Sequence, residues 1–323
     1  MKSGKVLRIS VTDRCDLRCI YCMPEAGVAL VPMADMLSYE EIAVVARAAM
    51  AAGVRRFRLT GGEPLARRGV ASLVRLLAAL GPDDLALTTN GLHLADFAAD
   101  LKAAGLMRVT VSLDTLRPGR FTAITRRKGL DRILAGIEAA RAAGLAPVKV
   151  NMVVIHGVND DEIPDFVRFA VKEDVELRFI ELMPTSGLTP ECKELGAWRP
   201  ALFVKGEDVR ARITEAFGPL ERLPEDDGVA DMYLLDGRTR LGFIAPVSEP
   251  FCQGCERLRL GPDGLLRICL FDRAGIDLRK QLREVKAGPS EIAAVIKAAF
   301  AAKTTWERGA IESLSNDMFR IGG

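Results

Sequence analysis

Over the first half of the chain, short runs of alternating apolar and polar residues are separated by stretches with apolar positions three and four apart. Val6 to Val11, Arg56 to Leu59, Leu85 to Thr88, Arg108 to Leu113, Val148 to Ile155 and Leu177 to Met183 are bounded by turn residues and predict six strands. Ser38-Tyr39-Glu40-Glu41 is a capping box that opens a helix running to Ala52, where Gly53 stops it. Further helices fit Val70 to Leu80, Leu94 to Ala104, Leu130 to Ala143 and Glu162 to Lys172. This alternation predicts parallel strands with helices outside, as a barrel or a doubly wound sheet. The polar loop after Val11, Gly61-Gly62-Glu63-Pro64, Thr88 to Gly91, Ser112 to Asp114 and Glu181 to Met183 all fall at or just past strand ends, which in a barrel is one rim. Past Met183 the pattern fails, and Pro184 to Pro200 predicts an irregular linker. A helix near Glu207 to Phe217, a hairpin of Met232 to Leu235 and Thr239 to Ile244, and a helix over Ser290 to Ala302 follow. The expectation is an α/β protein with a barrel domain over 1–200 and an α+β domain over 201–323.

With 323 residues, 49% of them hydrophobic, the chain can bury a large core. Its 45 basic and 43 acidic residues leave a net charge of +2, which excludes whole-surface attraction to nucleic acid and directs attention to local basic patches. No apolar run reaches membrane-spanning length, and the N-terminus leads directly into a strand, so a soluble cytoplasmic protein is expected. Six of the seven cysteines fall in two groups, a pattern of metal ligation in a reducing compartment rather than of disulfides.

The first group, Cys15, Cys19 and Cys22, has Cys-x3-Cys-x2-Cys spacing in a polar loop leaving the first strand. Three thiolates satisfy three irons of a cubane and leave one iron open to an outside ligand, whereas an electron-transfer cluster calls for a fourth. The second group, Cys252, Cys255 and Cys269, is again incomplete. Zinc with an open fourth position competes with iron–sulfur there. Arg257 and Arg259, two apart, share a face if their segment is extended, and two guanidinium forks beside a ligand-accepting iron call for an anion such as phosphate. Arg8, Arg58, Lys149 and Arg178 each lie on a predicted strand, where a cation needs an anion or a carboxylate. His93 and His156 are the only histidines and sit in turn-like positions, so a histidine base is not central to the chemistry.

Taken together, Arg8 to Cys15, Leu59 to Leu65, Leu87 to Gly91, Val111 to Asp114, Val148 to Asn151, Arg178 to Met183, Phe251 to Arg259 and the terminal Ile321-Gly322-Gly323 resemble the GTP 3',8-cyclase (molybdenum cofactor biosynthesis protein A) family of the radical S-adenosylmethionine (radical SAM) superfamily. The resemblance implies a partial (βα)6 TIM-type barrel covered by a C-terminal region with a second cluster. It implies two [4Fe-4S] clusters, held by Cys15, Cys19 and Cys22 and by Cys252, Cys255 and Cys269. Tyr21, Gly62, Glu63, Ser112 and Met183 would line the SAM site, with Gly62 admitting close backbone approach and Glu63 receiving the SAM amino group. Arg8, Arg58, Thr88, Lys149, Arg178, Arg257 and Arg259 would hold GTP. Arg257, Arg259 and the Gly322-Gly323 tail would serve catalysis. The implied reaction uses a 5'-deoxyadenosyl radical to take hydrogen from ribose C3' and joins that carbon to guanine C8.

Implied partners are an electron donor such as flavodoxin or ferredoxin, a downstream cyclic pyranopterin monophosphate synthase and a second copy in a homodimer, with neither nucleic acid nor membrane. Arg56 departs from the family, which more often has Lys there, and Leu188 to Pro200, with Cys192, matches nothing in it. A radical SAM enzyme acting on peptides and an iron–sulfur or zinc module without catalysis stand as the alternatives.

Overall fold

The computed structural model describes residues 4–24, 26–184, 200–224, 229–252, 254–272, 274–304 and 321. Its first half alternates as the sequence predicts: β1 (Val6–Ser10), α1 (Tyr39–Ala51), β2 (Arg56–Thr60), α2 (Val70–Ala78), β3 (Asp84–Thr89), α3 (Leu94–Ala103), β4 (Arg108–Ser112), α4 (Pro118–Thr125), α5 (Leu130–Ala142), β5 (Lys149–Val154), α6 (Ile163–Glu173) and β6 (Glu176–Glu181). The capping box at α1 forms, with Glu41 N–H donating to Ser38 Oγ (3.2 Å) and Ser38 N–H to Glu41 Oε2 (2.7 Å). Helix α4 was not expected, because Gly119 and Thr122 weaken its helical signal.

The remainder comprises α7 (Gly206–Phe217), β7 (Leu220–Arg222), β8 (Asp231–Leu235), β9 (Thr239–Ile244), β10 (Arg257–Leu260), β11 (Leu265–Arg267), β12 (Ile276–Asp277), α8 (Leu278–Lys280) and α9 (Pro289–Lys303). All twelve strands join one sheet, ordered β12-β11-β10-β1-β2-β3-β4-β5-β6-β9-β8-β7. Strands β1 to β6 are mutually parallel and adjacent in chain order. The C-terminal region extends both edges: β10 adds in parallel to β1, and β9 adds in parallel to β6. Residues from β1 and from β6 and β9 line one cavity, so the sheet curves round it as a partial barrel.

Strand alternation sorts the residues. Leu7, Ile9, Phe57, Leu59, Leu85, Leu87, Val109, Val111, Val150, Met152, Leu177 and Phe179 form the buried layer that packs with the helices. Their neighbours Arg8, Arg56, Arg58, Thr88, Thr110, Asn151, Arg178 and Ile180 line the cavity on the concave face. Cations on a central strand are thereby aimed away from the apolar layer.

Candidate active site

Cross-strand register sets the cationic side chains side by side. Arg8 is the Cα partner of Arg259 on one side and of Arg58 on the other, so three guanidinium side chains come from three adjacent strands at one level. One step lower, Arg257 and Arg56 flank Val6. Burial depresses the Arg8 guanidinium well below its ordinary value, and the charges of Arg259, Arg257 and Arg58 add to the effect. Burial and Arg257 likewise bring Arg259 down to about 10, while the thiolates of Cys269 and Cys255 oppose the shift. Mutual repulsion in a low-dielectric cavity is what a polyanion relieves.

These arginines face the second cysteine group. Arg8, Arg58, Thr88, Arg178, Met183, Cys252, Cys255, Arg257, Arg259 and Cys269 all line one cavity of about 190 Å³. Arg257 Nε donates to Cys255 Sγ at 3.3 Å, and its guanidinium lies over the Phe251 ring, 5.0 Å from the centroid. Burial pushes the Cys255 thiol up, but Arg257 and Lys303 outweigh it and favour the thiolate that iron requires. Lys303, at the end of α9, also lines the cavity and carries no motif that would have revealed it. The carbonyl of buried Ile321 accepts from Arg259 Nη1 at 3.4 Å, which sets Ile321 beside the arginine row. Gly322, Gly323 and Cys192 lie outside the described residues.

Three of the expected nucleotide contacts are paired with carboxylates, the first being Arg58, whose Nη1 pairs with Asp84 Oδ2. Lys149 does not line the cavity; its buried ammonium pairs with Glu176 Oε1 at 2.9 Å. Arg178 lines the cavity, yet its Nε donates to the same oxygen at 2.7 Å. Burial raises the Glu176 carboxyl, but the charges of Arg178 and Lys149 win and hold it below the ordinary glutamate range. Asn151 was quoted in the sequence without a role. It stands between Ser112 and Arg178 in register, lines the cavity and keeps its buried Oδ1 without a hydrogen-bond partner.

The first cysteine group sits on the rim, beyond the C-terminal end of β1. Its turn is closed by Cys22 N–H and Met23 N–H donating to Cys19 O at 2.9 and 3.0 Å. Burial raises the Cys15 thiol, with Glu63 and Cys22 adding to the shift, and burial followed by Cys22 and Asp114 raises Cys19. The thiols are near enough to sense one another, and buried thiols of this kind ionise when a metal centre binds them. A zinc ion would draw its thiolates to about 2.3 Å from one point; among the described residues no three ligating side chains converge on a single ion in that way. Three thiols in each set are donors that suit a cubane with one open iron.

Around this loop, Gly62 and Glu63 make close contacts within the protein. A Cβ on Gly62 would meet Arg14 O well under 3.0 Å, so its backbone lies close against the cysteine loop. Gly62 N–H donates to Thr12 O and Glu63 N–H to Arg14 O, both at 2.7 Å. Glu63 accepts from Leu65 N–H (2.9 Å), the Thr89 hydroxyl (2.7 Å) and Asn90 N–H (2.6 Å). Its carboxylate braces the end of β2 to the end of β3, and burial raises it to about 7. The Tyr21 hydroxyl donates to Asp114 Oδ2 at 2.6 Å, tying the cysteine loop to the end of β4 just past Ser112.

Residues 9–170 match the Radical SAM superfamily, and residues 175–307 match Molybdenum Cofactor Synthesis C. A GTP 3',8-cyclase of Moorella thermoacetica is 47% identical over 92% of this chain and 90% of its own length. The enzyme of that name from Pelotomaculum thermopropionicum is 48% identical over the same shares. The chain belongs to the GTP 3',8-cyclase family. Similarity to the crystal structure of Streptococcus suis SuiB is limited to the fold, with a TM-score of 0.51 and 17% identity over 67% of this chain; the match spans 46% of that structure. As a cyclase-family member the protein is a radical SAM enzyme, and a [4Fe-4S] cluster and SAM come with the superfamily. No helix among the described residues is long and apolar enough to cross a membrane.

Proposed function

We propose that the protein converts GTP to (8S)-3',8-cyclo-7,8-dihydroguanosine 5'-triphosphate, the first step of molybdenum cofactor biosynthesis, using a 5'-deoxyadenosyl radical from SAM to take hydrogen from ribose C3'. The observation that carries this reading is the cavity in which Arg259, Arg8, Arg58, Arg257 and Arg178 face the Cys252-Cys255-Cys269 set. A triphosphate matches the cationic side, and an open iron at the second set would take the purine. Bound there, the two clusters would supply ligation of SAM and of GTP and the electron that starts the chemistry.

The chain's own part is positional. Arg8, Arg58, Arg257 and Arg259 would hold the phosphates, with Thr88 and Arg178 also lining the cavity, so that one C–H bond of the ribose is presented at the rim. Tyr21, Gly62, Glu63, Ser112 and Met183 would shape the SAM side, Glu63 and Gly62 by fixing the cysteine loop. Lys149 would act from below, by neutralising Glu176 so that Arg178 stays oriented. Residues 1–200 would handle SAM and residues 201–323 the second cluster. Arg257 or Arg259 would also stabilise charge on the purine as the nucleotide radical is reduced; replacement by Ala then lowers kcat more than it raises KM, and equal losses refute that role. The contact of Ile321 with Arg259 supports a place for Gly322-Gly323 in the channel, so deleting both glycines should abolish cyclisation with both clusters retained.

Iron and sulfide analysis with electron paramagnetic resonance tests the whole reading. Two cluster signals are expected, one shifted by SAM and the other by GTP; a GTP-insensitive spectrum overturns it. The product would pass to a cyclic pyranopterin monophosphate synthase, and a cytoplasmic homodimer reduced by a flavodoxin or ferredoxin completes the proposal.

A further inference from the structure

The segment after α4, Arg126-Arg127-Lys128, is built against the outer side of the cysteine loop. Arg18 N–H donates to Thr125 O at 3.0 Å and Ile20 N–H to Ile124 O at 2.9 Å, so the two segments run edge to edge. Arg126 Nη1 reaches across to Arg18 O (2.8 Å) and Met23 O (3.3 Å). Its left-handed backbone, φ 56°, turns the chain outward and leaves Arg127 and Lys128 exposed.

Charge matching on this side of the molecule is uneven. On α4, Arg117 and Arg120 pair with Asp161, Asp165 and Glu162. Arg127 instead donates to the backbone oxygen of Arg126 (2.9 Å), and Arg18 to the backbone oxygens of Cys15 (2.5 Å) and Leu17 (2.8 Å). Among the described residues, Arg18, Arg127 and Lys128 have no carboxylate partner. In a chain of net charge +2, three uncompensated cations around one loop form a local positive field. The cysteines of that loop are partly exposed, whereas the substrate cavity is lined by other residues. A carrier on the side of the loop held by Arg126 would not need to enter that cavity.

We propose that Arg18, Arg127 and Lys128 form the docking surface for an acidic, low-potential one-electron carrier protein. This rests on the reading of Cys15, Cys19 and Cys22 as a cluster that must be reduced before SAM is cleaved. Charge complementarity and the confinement of the patch to the cluster's rim favour that occupant; a nucleic acid would call for a longer basic stripe tracking successive phosphates. In the transfer the carrier loses one electron and the cluster gains it, with no bond made and no proton moved.

The test compares the reconstituted wild-type holoenzyme with an Arg127→Glu, Lys128→Glu double variant. Binding of oxidised flavodoxin is measured by calorimetry at low and high salt, and SAM cleavage is followed with reduced flavodoxin or with dithionite. The expected result is about a tenfold or greater loss of flavodoxin affinity at low salt, with the wild type's salt dependence flattened in the variant. Flavodoxin-driven cleavage should fall in parallel while dithionite-driven cleavage stays unchanged. Unaltered flavodoxin affinity, or an equal loss with both reductants, overturns the docking surface. Failure of wild type to cleave SAM with either reductant overturns the cluster reading instead.

Discussion

Arg8 on β1 and Arg259 on β10 are Cα partners in a parallel ladder, although their strands come from opposite ends of the chain. Burial depresses both guanidinium groups, with Arg259 adding to the effect at Arg8 and Arg257 at Arg259, a repulsion that an anion relieves. Replacing Arg8 by Met relieves that repulsion with similar volume. Stabilisation of the protein by GTP should then largely disappear. Calorimetric scans with and without GTP check this.

Glu176 has the opposite task, holding Lys149, Arg178 and Arg240. Glu176→Gln leaves buried cations without their counter-charge and should destabilise by about 3–5 kcal/mol. The sign of the pH dependence follows from the direction of the shift. A carboxyl held below its ordinary value of 4.5 contributes stability that is fully present above that value. That contribution is lost as pH falls through the lower folded value. Urea titrations across the acid range should show a shallower decline in the variant than in wild type.

Gly62→Ala drives a Cβ into the backbone of Asp13 and Arg14 and should cost about 1–3 kcal/mol. Because the displaced backbone leads into Cys15, iron incorporation at the first cluster should fall as well. Gly119→Ala, where nothing stands within 4 Å of the new Cβ, is the control and should retain both stability and iron.

Asn151→Ala removes a buried acceptor that has no hydrogen-bond partner in the ligand-free protein. Stability should stay within about 1 kcal/mol of wild type, since no internal hydrogen bond is lost. If the acceptor faces a bound hydroxyl or amine, affinity for SAM or GTP should fall about tenfold, read by equilibrium binding to each ligand separately.

The sequence by itself determined the six parallel strands, the α1 cap, both cysteine sets and the family, because period-two patterning and ligand spacing are local properties of the chain. It also placed Arg257 and Arg259 on one face, which β10 confirms. Only the tertiary structure decided that β9 and β10 extend opposite edges of the same sheet, since strands of four to six residues carry no mark of their partners. Register alone aligned Arg259, Arg8 and Arg58, and it set Lys149 against Glu176 rather than in the cavity. Packing also set Gly62 against the cysteine loop and Glu63 against the end of β3. A motif names the residues that meet, and packing chooses whether they meet a ligand or the loop that holds it.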